Sequence, residues 1–239
     1  MDDQLVEDPY LVKVTYEYQF EDGSAVNFAV DSDLTSTVQE EYSEEKHKWA
    51  ELDFHKCDHC PLSSDEHKYC PASVSIADII EYFNDHPDHT HARCIVHTQG
   101  KTIVAEKGIQ EALAALIGLR LASSKCPILS HMKPMARFHD PFLSPYQLVY
   151  RATSMFLLGQ YIRQLEGESP DWSVDGLKAL YDKVGRVNMK LSERICSAGD
   201  VESTPCSMMI FSVLTISMTL PFDEHLEILK GLYQLPAAE

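Results

Sequence analysis

The sequence predicts an α+β fold, with antiparallel β-hairpins, one helix and a zinc knuckle in residues 1–107 and a helical bundle in residues 108–239. In the first part, apolar residues recur at every second position, as in half-buried strands. In the second part they recur at helical spacing. Three cysteines and a histidine cluster within residues 57–70. A chain of 239 residues can bury a substantial core, so the two parts can form one globule.

The strands are predicted from alternation between apolar and polar residues. Residues 10–31 indicate a β-hairpin, because two alternating runs rich in β-branched and aromatic residues flank an Asp-Gly turn. Residues 49–54 alternate again and predict a third strand that ends close to Cys57. Residues 93–105 predict a second hairpin around a Gln-Gly turn.

The helices are predicted from apolar residues spaced three and four positions apart. Serine caps, and a proline in the first turn, mark the start of some of them. The predicted helices run from Ser73 or Ser75 to about Asn84, and over residues 108–123, 145–165, 174–197, 205–219 and 223–235. The helix over residues 174–197 is the most clearly amphipathic and has a basic row, which consists of Lys183, Arg186, Lys190 and Arg194.

The charge of the chain is unevenly distributed. The formal net charge is -17, and residues 1–100 hold 22 acidic and 6 basic side chains, against 15 and 14 in residues 101–239. An acidic surface repels phosphate groups and anionic lipids, so nucleic acid and membranes are not expected as partners. The N-terminus has no basic region followed by an apolar one, so no secretory signal is predicted and a cytoplasmic location is expected.

Cys57, Cys60, His67 and Cys70 are predicted to form a structural metal site. Their spacing is C-x2-C-x6-H-x2-C, and each pair of ligands two residues apart can bind one ion from a tight turn. Nitrogen and sulfur ligands without a carboxylate favour zinc over magnesium or calcium. A closed site of this kind stabilises a loop and leaves no open position for a substrate.

Alternatives stay open at this metal site. An iron–sulfur cluster is the chemical rival of zinc. His55 or His59 could replace His67 as the nitrogen ligand, because both lie close to the cysteines in the sequence. The chain has 7 cysteines, an odd number, and no predicted secretory signal, so a disulfide framework is the weaker explanation.

A second group of metal-binding residue types lies in the loop after the first predicted helix. His86, His89 and His91 occur there, together with Asp85 and Asp88. These residues could bind a second metal, but no histidine pair has a metal-binding spacing on a predicted helix. A polar surface loop between a helix and a strand is the favoured interpretation.

Residues 124–143 form a long irregular segment between two apolar helices, and such a segment needs a structural or functional reason. Arg137, with His139 and Lys133, could bind a carboxylate or phosphate group, and Cys126 could be a nucleophile if a nearby cation lowered its pKa. The favoured interpretation is structural, with apolar residues packed down and Arg137 bound to main-chain carbonyls or an acidic partner. No standard catalytic motif occurs in the chain.

Two segments carry distinctive motifs. Residues 57–71 contain C-x2-C-P-L followed by H-x2-C-P, and residues 133–142 read K-P-M-A-R-F-H-x-P-F. Both motifs resemble those of an uncharacterised family of bacterial proteins of unknown function, over a range from the first hairpin to about Leu165. The resemblance implies a bacterial cytoplasmic protein and no particular reaction.

The leading functional prediction is a non-enzymatic, zinc-stabilised protein that binds a protein partner or a small anionic ligand, with self-association as one form of partner binding. The alternative is an enzyme with a site around Cys126, Arg137 and His139. Convergence of these side chains in a pocket would favour the enzyme, whereas Arg137 bound to main-chain carbonyls would favour a structural role. The acidic first part and the basic row could also meet within the molecule or between subunits.

Overall fold

The fold is α+β, with a four-stranded antiparallel sheet in the N-terminal part and helices along most of the rest of the chain. It is taken from a computed structural model, which describes residues 8–36, 48–86, 89–197 and 222–233. The predicted helix over residues 205–219 lies outside the described residues. None of the helices within these ranges is long and apolar enough to cross a membrane.

The sheet contains both predicted hairpins. Its strands are β1 (Leu11–Gln19), β2 (Ala25–Asp33), β3 (His91–Thr98) and β4 (Lys101–Gly108), in the spatial order β2-β1-β3-β4. All neighbouring strands pair antiparallel. Gly23 and Gly100 have φ angles of 85° and 88° in the two hairpin turns, a left-handed conformation that glycine adopts without steric cost.

One face of the sheet is buried and the other is more exposed. Along β1 the buried side chains are Val12, Val14, Tyr16 and Tyr18, and the residues between them are more exposed. This follows from strand geometry, in which successive side chains point to opposite sides. The Tyr18 hydroxyl donates a 3.0 Å hydrogen bond to Ala112 O, which fixes the helix that follows β4 against the buried face.

The helices mostly follow the predicted ranges. They are α1 (Pro71–Val74), α2 (Ala77–Asp85), α3 (Ile109–Ser123), α4 (Lys133–Arg137), α5 (Pro145–Leu165), α6 (Asp175–Cys196) and α7 (Phe222–Leu229). The start of α5 was clear in the sequence because Ser144 caps the helix. Ser144 Oγ accepts a hydrogen bond from the Gln147 N–H, and Gln147 Oε1 accepts one from the Ser144 N–H. This capping box satisfies two main-chain donors at the helix end.

Two local predictions differ from the structure. Residues 49–54 do not form a strand, because Lys48–Ala50 is a 3-10 turn and only one residue beyond it makes an isolated β-bridge. Trp49 and Leu52 are both buried, so the apolar period here is three and not two. The segment over residues 124–143 is less irregular than predicted, since it contains a second 3-10 turn and α4.

The described core has two parts. The larger part includes residues of the sheet, of the cysteine-rich loop (residues 53–70), of α2 and α3, and of the C-terminal half of α6, for example Leu191. The smaller part joins α5, α6 and α7 through Val149, Leu177 and Phe222. Residues on both sides of the predicted boundary at residue 107 therefore share the main core, and α6 contributes to both parts.

Candidate metal centre

The cysteine-rich loop is held in place by main-chain hydrogen bonds. The Cys60 N–H donates a 3.0 Å bond to Cys57 O, which closes the tight turn expected for a C-x2-C pair. The Cys70 N–H donates a 2.8 Å bond to Ala50 O, and the β-bridge of the neighbouring residues lies beside it. The end of the loop is therefore fixed next to the buried 3-10 turn at Lys48–Ala50.

A fourth cysteine, from a distant part of the chain, has an electrostatic effect on the thiols of this loop. Cys126 lies in the turn after α3, where its carbonyl accepts a 2.9 Å hydrogen bond from the Ser130 N–H. Cys126 and Cys70 are buried in the main core, and Cys57 and Cys60 pack against that core. We refer to Cys57, Cys60, Cys70 and Cys126 as the thiol cluster.

The thiols of this cluster influence one another. The pKa of Cys57 is raised to about 12, first by burial and then by the charges of Cys70, Cys126 and Cys60. The pKa of Cys126 is raised to about 11, mainly by burial, with contributions from Cys70 and Cys60. Such thiols are protonated at neutral pH unless a metal replaces their protons. In the described part of the chain, no three His, Cys, Asp or Glu side chains stand in an arrangement that could hold a metal ion, so the thiol cluster is grouped by these electrostatic effects alone.

The histidines near the cysteines have different surroundings. His55 Nδ1 lies 3.6 Å from Glu193 Oε2, and His59 Nε2 lies 3.2 Å from Lys183 O. The two alternative nitrogen ligands therefore both have partners on α6. His67 is half-buried within the loop. Its role as the nitrogen ligand stays a prediction, which nothing among the described residues tests.

Arg194 extends from α6 into the same region. Its side chain is only 1% exposed. Its guanidinium donates hydrogen bonds of 3.0, 2.5 and 2.7 Å to the carbonyls of Trp49, Glu51 and Leu52, and these are its hydrogen-bond partners among the described residues. Its positive charge lowers the pKa of Cys57, against the larger effect of burial. A buried cation without a carboxylate partner is costly, so its effect on the Cys57 thiol is informative.

The basic side chains of residues 124–143 bind main-chain carbonyls. Lys133 Nζ donates a 2.5 Å hydrogen bond to Leu34 O, and Arg137 Nε donates a 2.8 Å bond to Pro9 O. The two carbonyls flank the first hairpin, so these contacts tie the segment to both ends of that hairpin. This geometry agrees with the structural interpretation of the segment.

His139 packs beneath the sheet. Its Nε2 lies 2.5 Å from Tyr16 Oη. Burial, followed by the positive charge of Arg151, lowers the pKa of His139 to about 4. The three residues of the predicted enzyme site thus have separate partners, since Cys126 lies in the thiol cluster and Arg137 binds a carbonyl.

A family model described as Domain of unknown function (DUF6901) matches residues 14–234. The chain belongs to this family. The match confirms the resemblance to an uncharacterised family that the two motifs indicated. No curated protein and no solved structure matched the chain. The matched range includes the thiol cluster and residues 124–143, so both are parts of the DUF6901 domain.

The histidine-rich loop of this DUF6901 domain is used for packing. The ring of His89 stacks on Phe20 with ring centroids 3.6 Å apart, and the ring of His86 stacks on Tyr82 at 4.3 Å. His86 Nδ1 also lies 2.8 Å from Tyr82 O. These side chains border a cavity of about 360 Å³ beside the first hairpin turn. The stacking agrees with the interpretation of this region as a polar surface loop.

Two residues of the DUF6901 domain have an electrostatic effect on Cys57, and neither was connected with the cysteine-rich loop from the sequence. Cys126 comes from a turn far along the chain, and a contact of this kind leaves no periodic pattern. Arg194 belongs to the basic row of α6, but its neighbours Leu191 and Ile195 are buried. A charged residue flanked by core residues at helical spacing is the signal that could have identified it.

Proposed function

We propose that this chain is a non-enzymatic protein of the bacterial cytoplasm that is stabilised by zinc and acts by binding a protein partner. The proposed ligands of the metal are Cys57, Cys60, His67 and Cys70. The single observation that carries the proposal is that Cys70 is buried in the main core and that Cys57 and Cys60 pack against the same core. Thiolates without carboxylates favour zinc, and a site packed against the core stabilises its loop.

The loop itself supports the need for a metal. None of residues 53–69 is buried, although the loop has a defined conformation. Ordering the backbone of each residue costs roughly 1–2 kcal/mol, and burial of apolar surface usually offsets that cost. In this loop the side chains that pack against the core, such as Phe54 and Leu62, are only partly buried, so they offset only part of the cost. A bound zinc ion would supply the missing stabilisation, as it does in small zinc-binding domains.

Elemental analysis of the purified chain tests the metal. We expect about one zinc ion per chain, the stoichiometry of a single closed site. The Cys57→Ser and Cys70→Ser variants should lose it. Cys94→Ser is the matched control, because Cys94 is a buried cysteine of β3 outside the thiol cluster and its replacement should leave the metal content unchanged. Wild-type protein from a zinc-replete culture without bound metal would overturn the proposal.

The partner surface is proposed on the C-terminal half of α5. We call Leu158, Tyr161, Ile162 and Leu165 the α5 face. These four apolar side chains are spaced as neighbours on one side of a helix and are between 47% and 69% exposed. Contiguous exposed apolar surface on a protein marks an interaction site.

A second copy of the chain is the partner that the charge distribution favours. Residues 101–239 hold 15 acidic and 14 basic side chains, so two copies can approach through this part without strong repulsion. A twofold contact would place the α5 face of one copy against the same face of the other. The acidic first part of the chain would remain outside the interface.

Sedimentation over a range of protein concentrations tests this contact. We expect the wild type to form a dimer and Ile162→Lys to be monomeric, because a charge in the α5 face would be desolvated on association. Met189→Lys is the matched control, since Met189 is an exposed apolar residue on α6. A wild-type monomer at every concentration, or equal effects of both variants, would reject the α5 face as the interface.

The alternative functions have less support. The raised pKa of Cys126 makes its thiol a weak nucleophile at neutral pH. Arg137 and Lys133, which could have bound an anion, donate hydrogen bonds to main-chain carbonyls instead. An enzyme around Cys126, Arg137 and His139, or a site for a small anionic ligand in this segment, would need these contacts to be broken first.

A further inference from the structure

We propose that Cys57 and Cys60 are a redox-active pair, which a hydroperoxide such as hydrogen peroxide converts into a reversible disulfide. Both thiols are also proposed zinc ligands, so formation of the disulfide would release the metal. The release rests on the proposed function, whereas the disulfide itself needs only the two thiols and the turn that joins them. Disulfides of cytoplasmic proteins are usually transient and either catalytic or redox-sensing.

The turn between the two cysteines carries this inference. The Cys60 N–H donates a 3.0 Å hydrogen bond to Cys57 O, so the two residues occupy the first and last positions of a hydrogen-bonded turn. The Cα atoms at these positions of a β-turn lie within about 7 Å of each other. A disulfide needs a Cα–Cα distance of about 4.4–6.8 Å. The pair can therefore be bridged with little movement of the main chain.

Contacts on both sides hold the turn in place. Lys56 Nζ donates a 2.6 Å hydrogen bond to Leu62 O, which joins the residues that flank the turn. His59 lies between the two cysteines, and its Nε2 lies 3.2 Å from Lys183 O on α6. A turn that is fixed at its base and at its tip keeps the two cysteines together, which favours a reaction between them over reactions with other molecules.

The two thiols are also the more accessible ones of the cysteine-rich region. Cys57 and Cys60 are half-buried, whereas Cys70, Cys94 and Cys126 are buried. The susceptibility of cysteines to oxidation increases with exposure. An oxidant in solution therefore meets this pair before it meets the three buried thiols.

Oxidation takes two steps. One thiol attacks an oxygen atom of hydrogen peroxide, the O–O bond breaks, and a sulfenic acid and one water molecule form. The second thiol then attacks the sulfenic sulfur, the S–S bond forms, and the hydroxyl group leaves with the thiol proton as a second water molecule. The two thiols are thus oxidised by two electrons, and the peroxide is reduced to two water molecules. In the zinc-bound form the two thiolates react in the same way, two protons come from solvent, and the ion is released.

Burial assigns the order of the two thiols. It raises the pKa of Cys57 to about 12, which makes this thiol a slow nucleophile towards a peroxide. We therefore assign the first attack to Cys60. Cys57 acts in the second step, which is intramolecular and is helped by the short distance across the turn.

Alkylation followed by mass spectrometry of the full-length chain tests the pair. The protein as purified is treated with an equimolar amount of hydrogen peroxide, blocked with a thiol reagent and digested. We expect the peptide with Cys57 and Cys60 to lose two hydrogen atoms and escape alkylation, and dithiothreitol to restore both thiols. Cys57→Ser and Cys60→Ser should form no disulfide in this peptide. Cys94→Ser, at a buried cysteine of β3, is the matched control and should behave as the wild type.

Zinc release is measured in the same samples with a colorimetric chelator and should be about one ion per disulfide. Zinc-containing wild type in which the pair stays reduced, joins Cys70 or proceeds to sulfinic acid would overturn the inference and leave the proposed function intact. A disulfide between Cys57 and Cys60 in wild type that is purified without metal would overturn the zinc site and leave the redox pair intact. Wild type with neither metal nor this disulfide would overturn both.

Discussion

The thiol cluster and the histidine-rich loop both group metal-binding residue types within a short stretch of sequence, but the structure gives them different surroundings. The thiols come from the cysteine-rich loop and from the turn after α3, they lie in or against the main core, and the buried Arg194 lowers the pKa of one of them, Cys57. The imidazoles of His86 and His89 stack on aromatic rings. Residue type and spacing in the sequence are enough to predict a candidate metal site. Burial against the core and a buried cation that acts on one of the thiols distinguish the thiol cluster from side chains that are used for packing.

Removal of the metal should give the largest difference in stability between the thiol cluster and the histidine-rich loop. When free zinc is 1,000 times its dissociation constant, binding adds about 4 kcal/mol to the free energy of unfolding. We therefore expect a chelator to lower the urea midpoint of the wild type substantially and to expose residues 53–69 to proteolysis. A chelator should have no further effect on Cys57→Ser. Equal midpoints with and without chelator would remove the distinction between the thiol cluster and the histidine-rich loop.

Replacement of Arg194 is the next largest test, because it removes the cation that sets the thiol cluster apart. Arg194→Met should lower the free energy of unfolding by about 3–5 kcal/mol, since it leaves three buried carbonyls without their donor. Arg186→Met is the matched control on the exposed side of α6 and should change stability by less than about 0.5 kcal/mol. Chemical unfolding of both variants measures the difference, and similar losses would contradict it.

The same comparison shows what a sequence can reveal. The hairpins, α3, α5 and α6 are predictable because each carries a local signal, whether alternation, helical spacing or a cap such as Ser144. Residues 49–54 were wrongly predicted as a strand, because a segment this short with only a few apolar residues fits a 3-10 turn as well as a strand. The loop cysteines are found from their spacing. Cys126 and Arg194 depend on long-range packing, which no local period encodes.

His139 provides a third environment, a single buried imidazole, and predicts how stability depends on acid. Its pKa is about 4 in the folded chain, below the ordinary value of 6.5, so the unfolded chain binds the proton more readily. The free energy of unfolding is therefore unaffected by this ring above pH 6.5. As the pH falls from 6.5 towards 4, the free energy of unfolding decreases by up to about 3 kcal/mol. Unfolding curves between these pH values should show this loss in the wild type and a smaller one in His139→Gln. Identical slopes would contradict the burial of this ring.

The smallest expected effect belongs to the histidine-rich loop. His89→Ala should cost about 0.5–1.5 kcal/mol, because it removes the stacking of His89 on Phe20. No hydrogen bond is lost at Nε2, which is buried without a partner among the described residues. His91→Ala, at an exposed position, should change stability by less than about 0.5 kcal/mol. Neither variant should alter the zinc content. Loss of metal from His89→Ala would mean that stacked imidazoles still contribute to metal binding, and burial with a compensating charge would then no longer separate the two regions.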